Sequence, residues 1–211
     1  FFFEPASPWP HDAPVAPDDA VSLGPPHCMN LGSPPVSAAP VSGPRDATLV
    51  PRPLTEDERQ RSWHSANYFR ANSGQQGPLA LWILGPSSVG KSTVTLQVAP
   101  EFGISELPGP LPEAMDNRCK VDAVMIDGEF MREAHGVWRA WVQTEDWHSA
   151  YPAMKSIINK EKDALSTAAA AEHKHLIIPQ TVLNLDKTMT ELEELTCQGY
   201  TNHMLAVVAP Q

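Results

Sequence analysis

The residues best suited to chemistry in this sequence form a loop that is typical of phosphate binding. Gly85 and Gly90 enclose four residues and are followed directly by Lys91 and Ser92, which gives the pattern G-x-x-x-x-G-K-S. Glycine lets the backbone turn its N–H groups inward, where a Cβ would obstruct the approach of an anion. In such a loop the lysine reaches the β- and γ-phosphates of a nucleoside triphosphate, and the serine hydroxyl holds Mg²⁺. The residues expected to hold the nucleotide are Gly85, Pro86, Ser87, Ser88, Val89, Gly90, Lys91, Ser92 and Thr93.

The segments on either side of the loop favour the same interpretation. Residues 80–84 are a short apolar run of the buried-strand type, and residues 92–99 can continue as a helix that Pro100 ends. The positive end of that helix would face the anion held by the loop. We therefore expect ATP or GTP, together with Mg²⁺, to bind at this point of the chain.

Two carboxylates lie at the end of a second predicted strand, residues 121–127. Asp127 is the last residue of this strand, and Glu129 comes two positions later. In a parallel α/β sheet the loops at the carboxyl ends of the strands share one edge, so these acids are expected on the same edge as the phosphate loop. One acid can hold Mg²⁺ or its waters, and the other can orient and deprotonate an attacking hydroxyl. The alternative is a turn that carries two solvated acids.

Strands and helices alternate along most of the remaining chain. This alternation predicts an α/β fold with a parallel sheet and right-handed crossovers. A helix is expected from a capping box at Thr55 and Glu58 to about residue 72. Further strands are predicted at 176–178 and 204–208, and further helices at 153–172 and 186–198. Residues 131–148 carry three tryptophans at broadly helical spacing; we expect them to cover the sheet, with ring stacking on a base or sugar as the alternative.

The composition divides the chain into two parts. Eleven of the 22 prolines lie in residues 1–50, where large apolar residues are sparse. We therefore expect residues 1–53 to be a disordered Pro-rich arm and residues 54–211 to form the folded domain. The arm could dock to a protein partner, since it has P-x-x-P spacings, or it could be a passive tail.

Charge and cysteine content exclude several classes of function. The 211 residues carry a formal net charge of −10, which argues against nucleic acid or an anionic membrane as a partner. Cys28, Cys119 and Cys197 are widely spaced, so free thiols are expected rather than a zinc site. No apolar stretch is long enough to cross a bilayer, and the sequence opening lacks the features of a signal peptide. These features predict a cytoplasmic protein.

The order of the motifs resembles that of the zeta toxin domain family. The phosphate loop is followed by I-D-G-E-F-M-R-E-x-H at 126–135, by L-I-I-x-x-T at 176–181, and by a helix closed by Q-G-Y at 198–200 before an apolar strand. The resemblance covers about residues 60–210. It implies a P-loop kinase-like fold whose characterised members phosphorylate the amino-sugar hydroxyl of UDP-N-acetylglucosamine, using ATP or GTP and Mg²⁺. It also implies that the chain is truncated at its C-terminus, because the family places phosphate-clamping arginines after the fourth strand.

The resemblance further implies roles for individual residues. Lys91 and Ser92 match the nucleotide- and metal-binding pair, and Asp127 would support the metal. Glu129 falls on the second acid of the family's I-D-x-D, which is the catalytic base. Asp163 falls on a substrate-binding glutamate of the long helix.

The third strand departs from the family pattern. Where the family usually has E-G-T-x-R, residues 179–183 read P-Q-T-V-L. Thr181 alone matches, and it would contact the substrate. The sequence thus predicts a kinase that phosphorylates a small hydroxylated acceptor. Two alternatives remain open: another P-loop kinase of small metabolites, or a nucleotide-binding protein without transferase activity.

Overall fold

The computed structural model describes residues 49–72, 77–107, 120–181 and 184–208. Every described residue belongs to one compact unit. The predicted arm up to residue 48 and most of the Pro-rich link after the phosphate-loop helix lie outside the described residues. The domain boundary near residue 54 stays a prediction.

The described residues form α-helices and strands in alternation. The helices are α1 (Glu56–Ser65), α2 (Lys91–Val98), α3 (Gly128–Ala134), α4 (Gly136–Trp141), α5 (Trp147–Ala171) and α6 (Leu185–Cys197). The strands are β1 (Leu79–Leu84), β2 (Val124–Met125), β3 (Leu176–Gln180) and β4 (Thr201–Ala206). A 3₁₀ turn at Ala99–Phe102 follows α2 and contains Pro100, as the predicted end of that helix requires.

The four strands form one parallel sheet in the order β2-β3-β1-β4. This arrangement confirms the predicted α/β fold. β1 lies between β3 and β4, with Ala80 opposite Leu176 and Leu79 opposite Thr201. Its sequence LALWIL is apolar throughout because a central parallel strand is covered on both faces. Even Trp82 is only 1% exposed, and its indole N–H is satisfied by Asn202 Oδ1 at 2.8 Å.

The second strand is much shorter than residues 121–127. The backbone carbonyls of Val121 and Ala123 accept hydrogen bonds from Asn67 Nδ2 at 2.8 and 3.0 Å, so this segment is bound by a side chain. Asn67 can reach both because it adopts the left-handed conformation, with φ of +68°, after α1. Regular pairing with β3 is therefore confined to Val124 and Met125.

The region 131–148 is divided among separate helices. His135 ends α3 and begins α4, and its Nδ1 accepts a hydrogen bond from the N–H of Val137 at 3.1 Å. α5 starts at Trp147, earlier than predicted, and includes Pro152 within its second turn at the cost of one helix hydrogen bond.

α1 is fastened to the long helix α5 by a buried carboxylate. Glu161 is 5% exposed and accepts hydrogen bonds from Arg59 Nε at 2.6 Å and from Trp63 Nε1 at 2.9 Å. The predicted capping box of Thr55 and Glu58 is present at the start of α1.

None of the helices in the described residues has the length and apolar character needed to cross a membrane.

Candidate functional site

The phosphate loop begins at a glycine that has no room for a side chain. A Cβ on Gly85 would lie 2.5 Å from the carbonyl oxygen of Val207, closer than real Cβ contacts allow. The N–H of Gly85 donates to the carbonyl of Gln180 at 3.1 Å, and the N–H of Val207 donates to Leu84 at 2.7 Å. The start of the loop is therefore held between the ends of β3 and β4.

The rest of the loop turns through left-handed backbone into α2. Ser88 has φ of +62° and Gly90 has φ of +92°. Gly90 is the N-cap of α2, where no side chain caps the helix and no acidic residue lies in the first turn. The first N–H groups of α2 are thus not occupied by a side-chain acceptor, which suits an incoming phosphate.

The Lys91 ammonium lies against the carbonyls at the start of its own loop. Nζ donates to Gly85 O at 2.9 Å and to Pro86 O at 2.7 Å. An ammonium has three donors, so a third remains for another acceptor. Ser92 is half-buried beside it and Thr93 is exposed. The predicted nucleotide-binding residues therefore form one continuous curve of backbone with a cation inside it, and they fit a nucleotide phosphate.

The two predicted acids lie at the carboxyl end of β2. Asp127 is the N-cap of α3, and its Oδ1 accepts from the N–H of Glu129 at 2.9 Å. Both residues are half-buried. β3 separates β2 from β1, so the acids and the phosphate loop share an edge but stand two strand positions apart, about 10 Å at ordinary strand spacing.

Gln180 occupies the position between them, and sequence reasoning assigned it no role. Its backbone carbonyl accepts the hydrogen bond from the N–H of Gly85, and its side-chain Nε2 donates to Glu191 Oε2 at 2.9 Å. Its place could have been found from the sequence, because the residue that ends the strand next to the phosphate loop must lie beside that loop.

A groove of about 400 Å³ runs between α5 and α6. Asp163 and Gln180 both line it, and so does Lys187 of α6. Lys187 Nζ lies 3.2 Å from Glu191 Oε1 and 3.9 Å from Asp163 Oδ1. The hydrogen bond with Glu191, followed by the charge of Asp163, raises the pKa of Lys187. Thr181, the other predicted substrate residue, is exposed just after β3 and does not line the groove.

His135, the histidine that ends the motif at 126–135, is fully buried away from solvent. Its Nε2 lies 3.0 Å from the carbonyl of Arg52, while Nδ1 caps α4. Arg52 in turn forms an ion pair with Glu58 at 2.7 Å. This histidine therefore joins the segment before α1 to the start of α4, which is a structural role.

The described residues contain no group of three or more His, Cys, Asp or Glu side chains arranged to hold a metal ion. The residues that would hold a metal at this edge are Ser92, through its hydroxyl, and Asp127, through its carboxylate, together with phosphate oxygens of the nucleotide. That donor set is the one expected for Mg²⁺ bound with a nucleotide.

Comparison with known proteins identifies a similar fold. No protein-family model matches the chain, and no curated protein matches it. A solved structure of the PezAT chromosomal toxin–antitoxin system of the human pathogen Streptococcus pneumoniae matches with a TM-score of 0.54 and 20% sequence identity. The match covers 72% of this chain and 57% of that chain, so this chain spans little more than half the length of its neighbour. The similarity supports a zeta-toxin-like fold, as the order of motifs predicted.

Proposed function

We propose that this domain binds ATP or GTP with Mg²⁺ and transfers a phosphoryl group to a small hydroxylated acceptor. The observation that carries the proposal is the geometry of the phosphate loop. Glycines shape the backbone, the Lys91 ammonium lies inside the curve, and the N-terminus of α2 is uncapped. Each of these features would suit a bound triphosphate.

Residues 85–93 would hold the nucleotide phosphates. Lys91 would exchange its loop carbonyls for phosphate oxygens, and the Ser92 hydroxyl would hold Mg²⁺ with support from Asp127. A bound Mg²⁺–nucleotide supplies the transferable phosphoryl group. The protein contributes position and charge, because phosphoryl transfer needs little other chemistry from the enzyme.

On the acceptor side, Glu129 is the proposed general base. Its place in the first turn of α3 puts a carboxylate at the sheet edge, where it can orient and deprotonate a hydroxyl. Asp163 would contact the acceptor from the groove between α5 and α6, and Thr181 from the end of β3. A nucleotide sugar such as UDP-N-acetylglucosamine is proposed as the acceptor on the resemblance to zeta toxins.

A second candidate is a nucleotide-binding protein that transfers no phosphate. The departure at residues 179–183 favours it, because Pro179 and Leu183 stand where the family pattern has an acid and a basic residue. The two candidates share the nucleotide site and differ only in the acceptor pocket.

We further propose a protein partner and a cytoplasmic location. The structural neighbour comes from a toxin–antitoxin system, which supports a protein partner, and the Pro-rich arm is the segment proposed to contact it.

Calorimetric titration with Mg·ATP and Mg·GTP tests the nucleotide site. Lys91→Ala should lower affinity by about ten- to a hundredfold, because it removes charge-assisted hydrogen bonds worth about 1.5–3 kcal/mol each. Lys160→Ala, an exposed cation on α5, is the matched control and should bind as the wild type does. Equal affinity of folded Lys91→Ala and wild type would rule out the site.

A further inference from the structure

The end of β3 lies between the two sides of the proposed reaction. In the sheet order β2-β3-β1, the phosphate loop follows β1 on one side of β3, and the acidic turn with Glu129 follows β2 on the other. Neighbouring strands are about 4.8 Å apart, so a hydroxyl that contacts both Glu129 and a phosphate in the loop must lie close to the end of β3. Gln180 is the last residue of that strand.

The side-chain amide of Gln180 is oriented by α6. Its Nε2 donates to Glu191 Oε2 at 2.9 Å, and its Oε1 lies 3.4 Å from the hydroxyl oxygen of Thr188. Glu191 uses its other oxygen, Oε1, in the ion pair with Lys187 at 3.2 Å. Both polar atoms of the amide are therefore held by the helix before a ligand arrives.

The amide still has hydrogen-bonding capacity left for a ligand. A glutamine side chain carries two N–H donors and a carbonyl oxygen with two lone pairs. Glu191 takes one N–H and Thr188 one lone pair, and no other contact among the residues that the structure describes takes the rest. One donor and one acceptor remain at the end of β3.

The groove between α5 and α6 leads to this amide. Its lining includes Trp82 of β1 and Ile178 of β3, both almost fully buried. Gln180 lies two residues after Ile178 and therefore on the same face of β3. At about 400 Å³ the groove is within the range of small-molecule sites, about 300–1,000 Å³. A ligand in the groove would reach the amide at the end next to the phosphate loop.

Charged groups suit the remaining donor and acceptor less well than neutral ones. A carboxylate can accept the N–H but cannot donate to the carbonyl, and an ammonium can donate but cannot accept. An anion would also be repelled by Glu191, whose partner Lys187 lies 3.9 Å from a second carboxylate, Asp163. A hydroxyl or a carboxamide can satisfy both atoms of the amide.

We propose that the side-chain amide of Gln180 binds the acceptor beside the hydroxyl that is phosphorylated, and that the group it binds is an uncharged hydroxyl or carboxamide. Pro179 and Leu183, which stand where the resembling family has an acid and a basic residue, carry no polar side-chain atoms. Gln180 supplies hydrogen bonds that they cannot. This inference rests on the proposed function, because it takes Glu129 and the phosphate loop as the two sides of the reaction.

The test follows the side-chain NH₂ signals of the glutamines by NMR while N-acetylglucosamine is added to the full chain. This sugar offers hydroxyls and a carboxamide and carries no charge. The Gln180 signal is identified by its loss in Gln180→Leu, and it should shift as the sugar is added. Gln60 and Gln143 do not line the groove, so their signals serve as internal references and should stay in place.

Gln180→Leu keeps the approximate size of the side chain and removes its hydrogen bonds. It should weaken binding of N-acetylglucosamine about tenfold, as expected for the loss of two neutral hydrogen bonds, and leave the affinity for Mg·ATP unchanged. Gln198→Leu is the matched control, because Gln198 lines the same groove but follows α6 at its opposite end. This variant should bind the sugar as the wild type does.

Glucosamine, whose ammonium replaces the carboxamide, tests the kind of group that is bound. Weaker binding than that of N-acetylglucosamine assigns the carboxamide, and equal binding assigns a hydroxyl. Tighter binding would overturn the choice of an uncharged group.

The outcomes separate Gln180 from the nucleotide site. An unshifted Gln180 signal in the wild type, or equal sugar affinity of Gln180→Leu, Gln198→Leu and the wild type, would overturn the inference and leave nucleotide binding untouched. If the sugar shifts the Gln180 signal but the wild type binds no Mg·ATP or Mg·GTP, the proposed function fails, and with it the role of Gln180 beside a phosphorylated hydroxyl.

Discussion

The N–H of Gly85 donates to the carbonyl of Gln180 over 3.1 Å, so the phosphate loop starts against the end of β3. The side chain at position 180 is therefore set beside the loop by a backbone hydrogen bond. It is also one of the positions at which residues 179–183 differ from the zeta toxin pattern. Because of this contact, the departure from the pattern lies within the candidate site and not in a distant loop.

Glu129 is predicted to act on the acceptor and not on the nucleotide. Glu129→Gln should reduce phosphoryl transfer about 10²–10⁴-fold while nucleotide affinity changes little, because a general base contacts the acceptor hydroxyl. Glu129→Asp moves the carboxylate back by one methylene and should retain more activity than the amide. Transfer is measured with nucleotide sugars and small alcohols, and binding by calorimetry.

Equal turnover by the wild type and both Glu129 variants would show that the residue only forms part of the turn. If the wild type binds nucleotide but transfers phosphate to none of the acceptors, the binding protein without transferase activity becomes the better interpretation.

Glu58 is predicted to contribute substantially to stability. It is 4% exposed and accepts hydrogen bonds from Arg52 at 2.7 and 2.8 Å and from the N–H groups of Thr55 and Gly136 at 2.8 and 2.7 Å. The hydrogen bonds from Arg52 hold the pKa of Glu58 far below its ordinary value of 4.5. Glu58→Gln should lower the free energy of unfolding by about 1–3 kcal/mol in denaturant titrations near pH 7.

The neighbouring acid of α1, Glu56, serves as the control because its side chain is 66% exposed. Glu56→Gln should change stability by less than about 0.5 kcal/mol. A lowered pKa contributes stability above the unfolded value and loses it as pH falls. The gap between wild type and Glu58→Gln should therefore narrow below pH 4.5, and a constant gap would contradict the assignment.

His175 is predicted to make stability depend on pH in a higher range. Its Nδ1 accepts the N–H of Leu79 at 3.0 Å, at the start of the contact between β3 and β1. Burial lowers the pKa of His175, and the charge of Asp122 partly opposes this shift. The unfolded chain therefore binds the proton first, and the free energy of unfolding should fall as the pH drops below about 6.5, by at most about 1.4 kcal/mol per pH unit.

His175→Asn keeps a hydrogen-bond acceptor but cannot titrate, so this part of the pH dependence should disappear. His173→Asn is the matched control, because His173 is exposed two residues earlier. Denaturant titrations from pH 5 to 8 compare the three proteins, and identical slopes would count against the role given to His175.

The features that could be predicted from the sequence are those set by residues close to one another along the chain. The phosphate loop and the capping box of α1 are local patterns, and the parallel sheet follows from alternating strands and helices. The shortness of β2 was not predictable in this way, because the carbonyls of Val121 and Ala123 just before it are bound by Asn67, which is 54 residues from Val121. The contacts of Glu161 with Arg59 and Trp63 likewise depend on packing between α1 and α5, which no local pattern reveals.

The contacts of Lys91 with its own loop have a consequence for kinetics. If a nucleotide binds as proposed, the ammonium would exchange its carbonyl partners one at a time, because its third donor can bond a phosphate oxygen before the other two hydrogen bonds break. The charge would then have an acceptor throughout, which would lower the barrier to association. As the product leaves, the same two carbonyls would compete with it for the ammonium, which would speed its release.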